Sequence, residues 1–184
     1  MRTSKKSGNK HKSKTIRVKR HRTGNGISRR AKIQNNKRLG IFVVHGHDEA
    51  MRETVARYLE KMGLIPVVLH EQTNNGDTII EKFEHYSGVK MALILLSPDD
   101  MGGKSGSTFV PRARQNVVLE WGYFMGKLAR NRVIALKKGD IELPSDTLGI
   151  VWETFDEHGG WKMKVAGELQ EAGYKIDFSK LPHS

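Results

Sequence analysis

The chain has 184 residues, with 32 Lys and Arg against 20 Asp and Glu, a formal charge of +12. Cysteine is absent, which excludes a disulfide framework, a thiolate metal site and a cysteine nucleophile. The longest uninterrupted apolar run, Met91 to Leu96, is too short to cross a bilayer, and the basic N-terminus lacks the apolar core of a secretory signal. The composition predicts a soluble, cytoplasmic protein.

The charge is concentrated at the start. Residues 1–38 hold 15 Lys and Arg and no acid, leaving 17 bases against all 20 acids in the remainder, a net of −3. Beyond the initiator, Ile16, Val18, Ile27, Ala31 and Ile33 are the apolar residues of that segment. They bury too little surface to offset the entropy of ordering it, so a disordered basic tail (1–38) is expected before a globule (39–184). Such a tail attracts nucleic acid and other polyanions without sequence selectivity. A merely solvated tail, or an over-extended start, is the other reading. No zinc-finger spacing or RNA-binding aromatic motif turns the charge into base readout.

From Arg38 the pattern changes. Leu39 to His45 is a β-branched and aromatic run closed by Gly46, and reads as a buried strand. Asp48 opens a helix with Met51, Val55, Tyr58, Leu59 and Met62 at helical spacing, stopped by Gly63. Ile65 to Leu69 reads as a second strand. The polar stretch EQTNNGDT (71–78) leads into a helix carrying Ile79, Ile80 and Phe83, ending near Gly88. Val89 to Leu96 is an almost wholly apolar third strand, suited to the centre of a parallel sheet. A Gly- and Pro-rich loop, Ser97 to Pro111, precedes a helix from Arg114 to Arg130. Strands at Arg132 to Leu136 and Ile150 to Thr154 follow, and then a helix from Trp161 to Ala172, stopped by Gly173. Strands alternating with single helices predict an α/β fold, a flavodoxin-like, doubly wound, five-stranded parallel sheet. Ligands in such sheets sit beyond the carboxyl ends of the strands. The segments there are His45–Asp48, His70–Gly76, Ser97–Arg114 and Lys137–Asp146.

Two chemistries are weighed on these loops. His45, His47 and Asp48, with Asp99 or Asp100, suggest a metal centre, but a turn at Gly46 and a helix cap at Asp48 account for the same residues, and that reading is favoured. A phosphoacceptor receiver would need paired acids after the first strand and an Asp ending the third; His45-Gly46 and Ser97-Pro98 stand there instead. Dinucleotide-fingerprint, phosphate-loop and nucleophile-elbow motifs are absent.

The segment RARQNVVLEWGYF (112–124) is the most informative. On a helix, Val117, Trp121, Phe124 and Leu128 form the sheet-facing stripe, with Glu120 at one side and Asn116 and Lys127 further round. Burial beside that stripe raises the pKa of Glu120, and Arg114 or Lys127 nearby favours its charged form. A surface salt bridge to Lys127 or Arg112 is the plainer alternative. Val118, Leu119 and Met125 make the helix apolar nearly all round, which predicts self-association through it or packing beneath the Ser97–Pro111 loop.

IFVVHGHDEAMRETVARYLEKMG, LHEQTNNGDTIIEKFEHYS, LLSPDD, RARQNVVLEWGYFMGKLARNRV and ELPSDTLGIVW together resemble bacterial TIR-like domains of the kind found in anti-phage cyclic-nucleotide systems (CBASS, Pycsar), fused there to STING or another sensor. The resemblance covers about residues 40–175. It implies NAD+ glycohydrolase activity: cleavage of the nicotinamide–ribose bond, with NAD+ as substrate and no separate cofactor or metal. The family's essential Glu, on the helix after the third strand, matches Glu120. By position, Gly46 and Asp48 form the loop that approaches the dinucleotide. Ser97, Asp99, Arg112, Arg114 and Asn116 are substrate-binding candidates, an Arg suiting the pyrophosphate, and Trp121 is a candidate to stack on a substrate ring. The segment 71–78 matches the loop that closes the site and mediates assembly. Because the additional segment here is the basic tail, activation is expected from a separate sensor protein, from self-association, or from nucleic acid on the tail. A non-catalytic scaffold or nucleotide-binding module that signals by assembly, its basic tail binding nucleic acid, is the alternative.

Overall fold

Alternation along each strand decides which side chains enter which layer. The computed structural model describes residues 39–68, 81, 88–145 and 151–181. The basic tail, the EQTNNGDT segment and most of the helix expected after it lie outside the described residues. In chain order the elements are β1 (Gly40–Val44), α1 (Glu49–Lys61), β2 (Ile65–Val68), β3 (Ala92–Leu96), β4 (Asp100–Gly102), β5 (Val110–Arg112), α2 (Gln115–Leu128), β6 (Val133–Lys137), β7 (Val151–Thr154) and α3 (Trp161–Glu171). Strands β2, β1, β3, β6 and β7 lie side by side in that order, every neighbouring pair parallel. This is the expected five-stranded, flavodoxin-like sheet.

Successive strand residues point to opposite faces. Ile41, Val43, Leu93, Leu95, Ile134 and Leu136 therefore join one core layer, under Val55 and Leu59 of α1 and Trp161, Val165 and Leu169 of α3. Phe42, Val44, Ile94, Leu96 and Ala135 join the other, under Val117, Trp121 and Phe124 of α2. Helices α1 and α3 end alike. Gly63 (φ 78°) and Gly173 (φ 91°) take the left-handed conformation, and the next residue's N–H returns to the helix: Leu64 to Leu59 O and Tyr174 to Leu169 O, each 3.0 Å. Among the described residues no helix is long and apolar enough to cross a membrane.

Two expectations need correction. The Ser97–Pro111 segment is not a plain loop: β4 and β5 pair antiparallel in it, Asp100 opposite Arg112 and Gly102 opposite Val110. Strands of three residues containing Gly and Pro carry no sequence periodicity, so the ribbon reads as punctuation. Helix α2 is shorter than Arg114–Arg130, because Arg114 is extended (φ −54°, ψ 137°) and Ala129 breaks the helix at φ 72°.

Candidate functional site

Sheet order reverses direction between β1 and β3, which makes the carboxyl ends of those strands the natural ligand crevice. Asp99 ties the two loops together there. Its carboxylate accepts from Ser97 Oγ at 3.1 Å to each oxygen and from the His47 N–H at 3.2 Å. The same carboxylate lies against Gly46, where a Cβ would sit 1.7 Å from Oδ2. Gly46 is thus required for the approach of Asp99, and the space over its Cα, expected for a dinucleotide, is taken by protein.

Asp48 does two jobs at once. Oδ1 accepts from the Met51 N–H at 2.9 Å, capping α1, while Oδ2 meets Lys138 Nζ at 2.5 Å, just beyond β6. Burial pushes this carboxyl up, but the Lys138 ammonium and the Met51 and Ala50 N–H groups outweigh it and hold it below the ordinary Asp value. His45 Nδ1 shares a hydrogen with Gly46 O at 2.8 Å. The residues of the metal reading are therefore engaged in loop structure, and among the described residues no three His, Asp or Glu converge as a metal-holding group.

Glu120 sits on α2 beside the stripe of Val117, Trp121 and Phe124 that packs on the sheet. It is 8 % exposed. Burial lifts its pKa from 4.5 to about 7, partly opposed by the Arg114 guanidinium. Among the described residues no hydrogen bond or ion pair engages its carboxylate: Lys127 and Arg112, the partners of the surface salt-bridge reading, do not hold it. Its oxygens are not sealed in, since neither is among the fully buried polar atoms that lack a partner. Asn116, one turn earlier, shares its flank. An uncommitted carboxylate, half ionised near neutral pH, lies within the field of one cation and at the margin of the core.

Trp121 belongs to the core itself. At 1 % exposure its ring is packed among Phe42, Val117 and Phe124, so it presents no open face and the stacking role expected of it is not available in this packing. Its Nε1–H is buried without a partner. Leu119 is 69 % exposed and so does not pack beneath the ribbon, whereas Val118 and Met125 are half-buried against the core.

Arg112 stands apart from Glu120. At the end of β5 it lines a cavity of about 500 Å³ together with Gln115 and Val118 of α2. Glu120 and Val118 project roughly 160° apart on the helix. Apart from the core residue Trp121, the residues expected from the sequence fall into three sets: the Asp99–Gly46 lock with Ser97 and Asp48, the flank of Glu120 with Arg114 and Asn116, and Arg112 in a cavity on the opposite flank. Lys138 and Glu142 carry no local sequence motif of their own. Their signal was positional, since both fall in the Lys137–Asp146 segment beyond β6.

Residues 40–157 match the family model described as the TIR domain of CAP12/Pycsar effector proteins. The chain is similar to the uncharacterized protein YuaY of Escherichia coli K12, 49% identical over 142 residues, which span 76% of this chain and 48% of that protein. It is also similar to protein tirC of Dictyostelium discoideum, 43% identical over 153 residues, spanning 77% of this chain and 75% of the relative. The chain thus spans about half the length of the bacterial relative.

Proposed function

The chain belongs to the TIR-domain family of CAP12/Pycsar effector proteins, and from that premise we propose that it is an NAD+ nucleosidase whose essential carboxylate is Glu120. The observation that carries this reading is the state of Glu120: buried, without a bonded partner among the described residues, and lifted to a pKa of about 7 on the helix that follows the third parallel strand. A folded domain that needed only structure at this position would be better served by an apolar residue, because an unpartnered buried carboxylate is costly.

The chemistry suits one carboxylate. The C1′–N bond of the nicotinamide riboside breaks with its electron pair going to nitrogen, so the cationic pyridinium leaves as neutral nicotinamide and needs no acid to protonate it. An O-glycosidase, by contrast, needs a second carboxyl group for its alkoxide leaving group. Ionised Glu120 stabilises the positive charge that develops on the ribose, and a site at the edge of the core strengthens that interaction relative to water. Water then adds to C1′ and releases a proton, giving ADP-ribose. A bound pyridinium favours ionisation of Glu120, acting in the same sense as Arg114. In this reading Arg114 attracts the pyrophosphate and Asn116 holds a ribose hydroxyl, while the Asp99–Gly46 lock and the Asp48–Lys138 pair fix the loops after β1, β3 and β6.

Leu119, Met101 and Phe109 leave exposed apolar surface on α2 and on the β4–β5 ribbon, which supports activation by self-association, driven by a separate sensor protein or by polyanions on the basic tail. An anti-phage role follows from the effector family. The same exposed surface favours the second reading, a scaffold that signals by assembly without catalysis.

The test is to cluster the chain artificially and incubate it with NAD+. Nicotinamide and ADP-ribose released in equal amounts support the enzyme; an assembled protein that leaves NAD+ intact rejects it in favour of the scaffold.

A further inference from the structure

The flank of α2 opposite Glu120 carries a different chemistry. The cavity there opens at the carboxyl end of β3, with Leu96, Val118 and Leu143 as apolar wall and Lys104, Arg112 and Glu142 as charged lining. These three charges line one cavity without neutralising one another: among the described residues no ion pair engages any of them. The backbone brings Glu142 close, since its N–H bonds Pro111 O at 2.9 Å and it bridges to Arg112, yet the side chains stay separate. Arg112 is pressed against Gly102, where a Cβ would lie 2.1 Å from Cζ, and its Nε–H is buried without an acceptor. The Nη groups likewise have no partner among the described residues but are not among the sealed atoms, so they are the donors left to meet an anion from outside, and a guanidinium is normally satisfied by a carboxylate or phosphate.

We propose that this cavity is a second ligand site, separate from Glu120, which binds a phosphate ester of nucleoside monophosphate size. Arg112 and Lys104 take the phosphate, Glu142 accepts a hydrogen bond from a sugar hydroxyl or exocyclic amine, and the wall of Leu96, Val118 and Leu143 covers the flat ring. The volume suits that size of ligand, since small-molecule pockets run from about 300 to 1,000 Å³. The net lining charge of one positive fits a single phosphate better than a polyanion. Gly102 is part of the site, because any side chain there displaces the guanidinium.

This proposal does not depend on NAD+ cleavage, and its readout is binding. Titration calorimetry of the full chain at physiological salt compares AMP, adenosine and inorganic phosphate, using wild type, Arg112→Ala, Lys104→Ala and Glu120→Gln. The basic tail is common to all four proteins, so differences among them report the cavity. The expected result is AMP binding that is equal in wild type and Glu120→Gln, at least tenfold weaker in Arg112→Ala and Lys104→Ala, and at least tenfold tighter than either adenosine or phosphate. Lys104 is exposed, so its truncation leaves the fold intact and keeps the test valid if Arg112→Ala unfolds. Absence of AMP binding, equal binding in Lys104→Ala, phosphate binding as tightly as AMP, or loss in Glu120→Gln would each overturn it.

Discussion

The carboxylate of Asp99 occupies the position that a side chain at Gly46 would need, only 1.7 Å from an ideal Cβ. One carboxylate thereby joins the loop after β1 to the loop after β3, across the point where the sheet changes direction. Ser97 Oγ and the His47 N–H hold the carboxylate there.

Gly46→Ala is accordingly expected to destabilise the protein by about 1–3 kcal/mol, the usual range for overpacking a filled site. Denaturant unfolding in a double-mutant cycle checks the cause: most of the cost disappears in an Asp99→Ala background. An undiminished cost there would mean that the clash lies elsewhere.

Asp48→Ala removes a helix cap and leaves Lys138 without its carboxylate, at an expected cost of about 1–2 kcal/mol at pH 7. Because the folded pKa of Asp48 lies below its ordinary value, the stabilisation is present above about pH 4 and is lost as pH falls through that folded value. Wild type and variant should therefore converge in strong acid. Thermal melts from pH 7 down to pH 2 measure this.

The parallel strands were legible because each is a short apolar run bounded by Gly or polar residues, and the periodicity of 117, 121, 124 and 128 located α2 and the side on which Glu120 stands. That same periodicity argued against a substrate role for Trp121, which lies within the sheet-facing stripe; the family resemblance, not the spacing, suggested stacking. The β4–β5 ribbon was hidden by its brevity. The Asp99–Gly46 lock and the Arg112–Gly102 approach were hidden for another reason. Each depends on backbone placement between distant or ribbon-paired residues, which no local pattern encodes. Burial of Glu120 against a rival surface salt bridge could be decided only with the helix seated on the sheet.

Glu120→Gln should stabilise the protein in base and not in acid. A carboxyl raised from 4.5 to about 7 binds its proton more tightly when folded, so the stability it supports is full below about pH 4.5 and declines as pH rises to 7. Above pH 7 the variant is expected to exceed wild type by about 1–3 kcal/mol, with little difference at pH 4.5. Parallel stability curves across that range would contradict the burial of the charge.

Leu119→Glu places a charge on the most exposed apolar residue of α2, 69 % accessible, and is expected to alter stability by less than about 0.5 kcal/mol. Sedimentation velocity at rising concentration should show weakened self-association, with nicotinamide release falling in parallel unless the protein is clustered artificially. Unchanged assembly would remove α2 from the interface.

The most direct measurement is the initial rate of nicotinamide release by artificially clustered wild type and Glu120→Gln, at matched folding and across pH 5.5 to 8.5. Wild-type kcat/KM is predicted to fall as pH drops below about 7, when Glu120 takes up its proton, and the variant to be slower by roughly 10²–10³-fold or more at every pH. Release at the wild-type rate by Glu120→Gln would contradict the assignment of the carboxylate and the mechanism built on it.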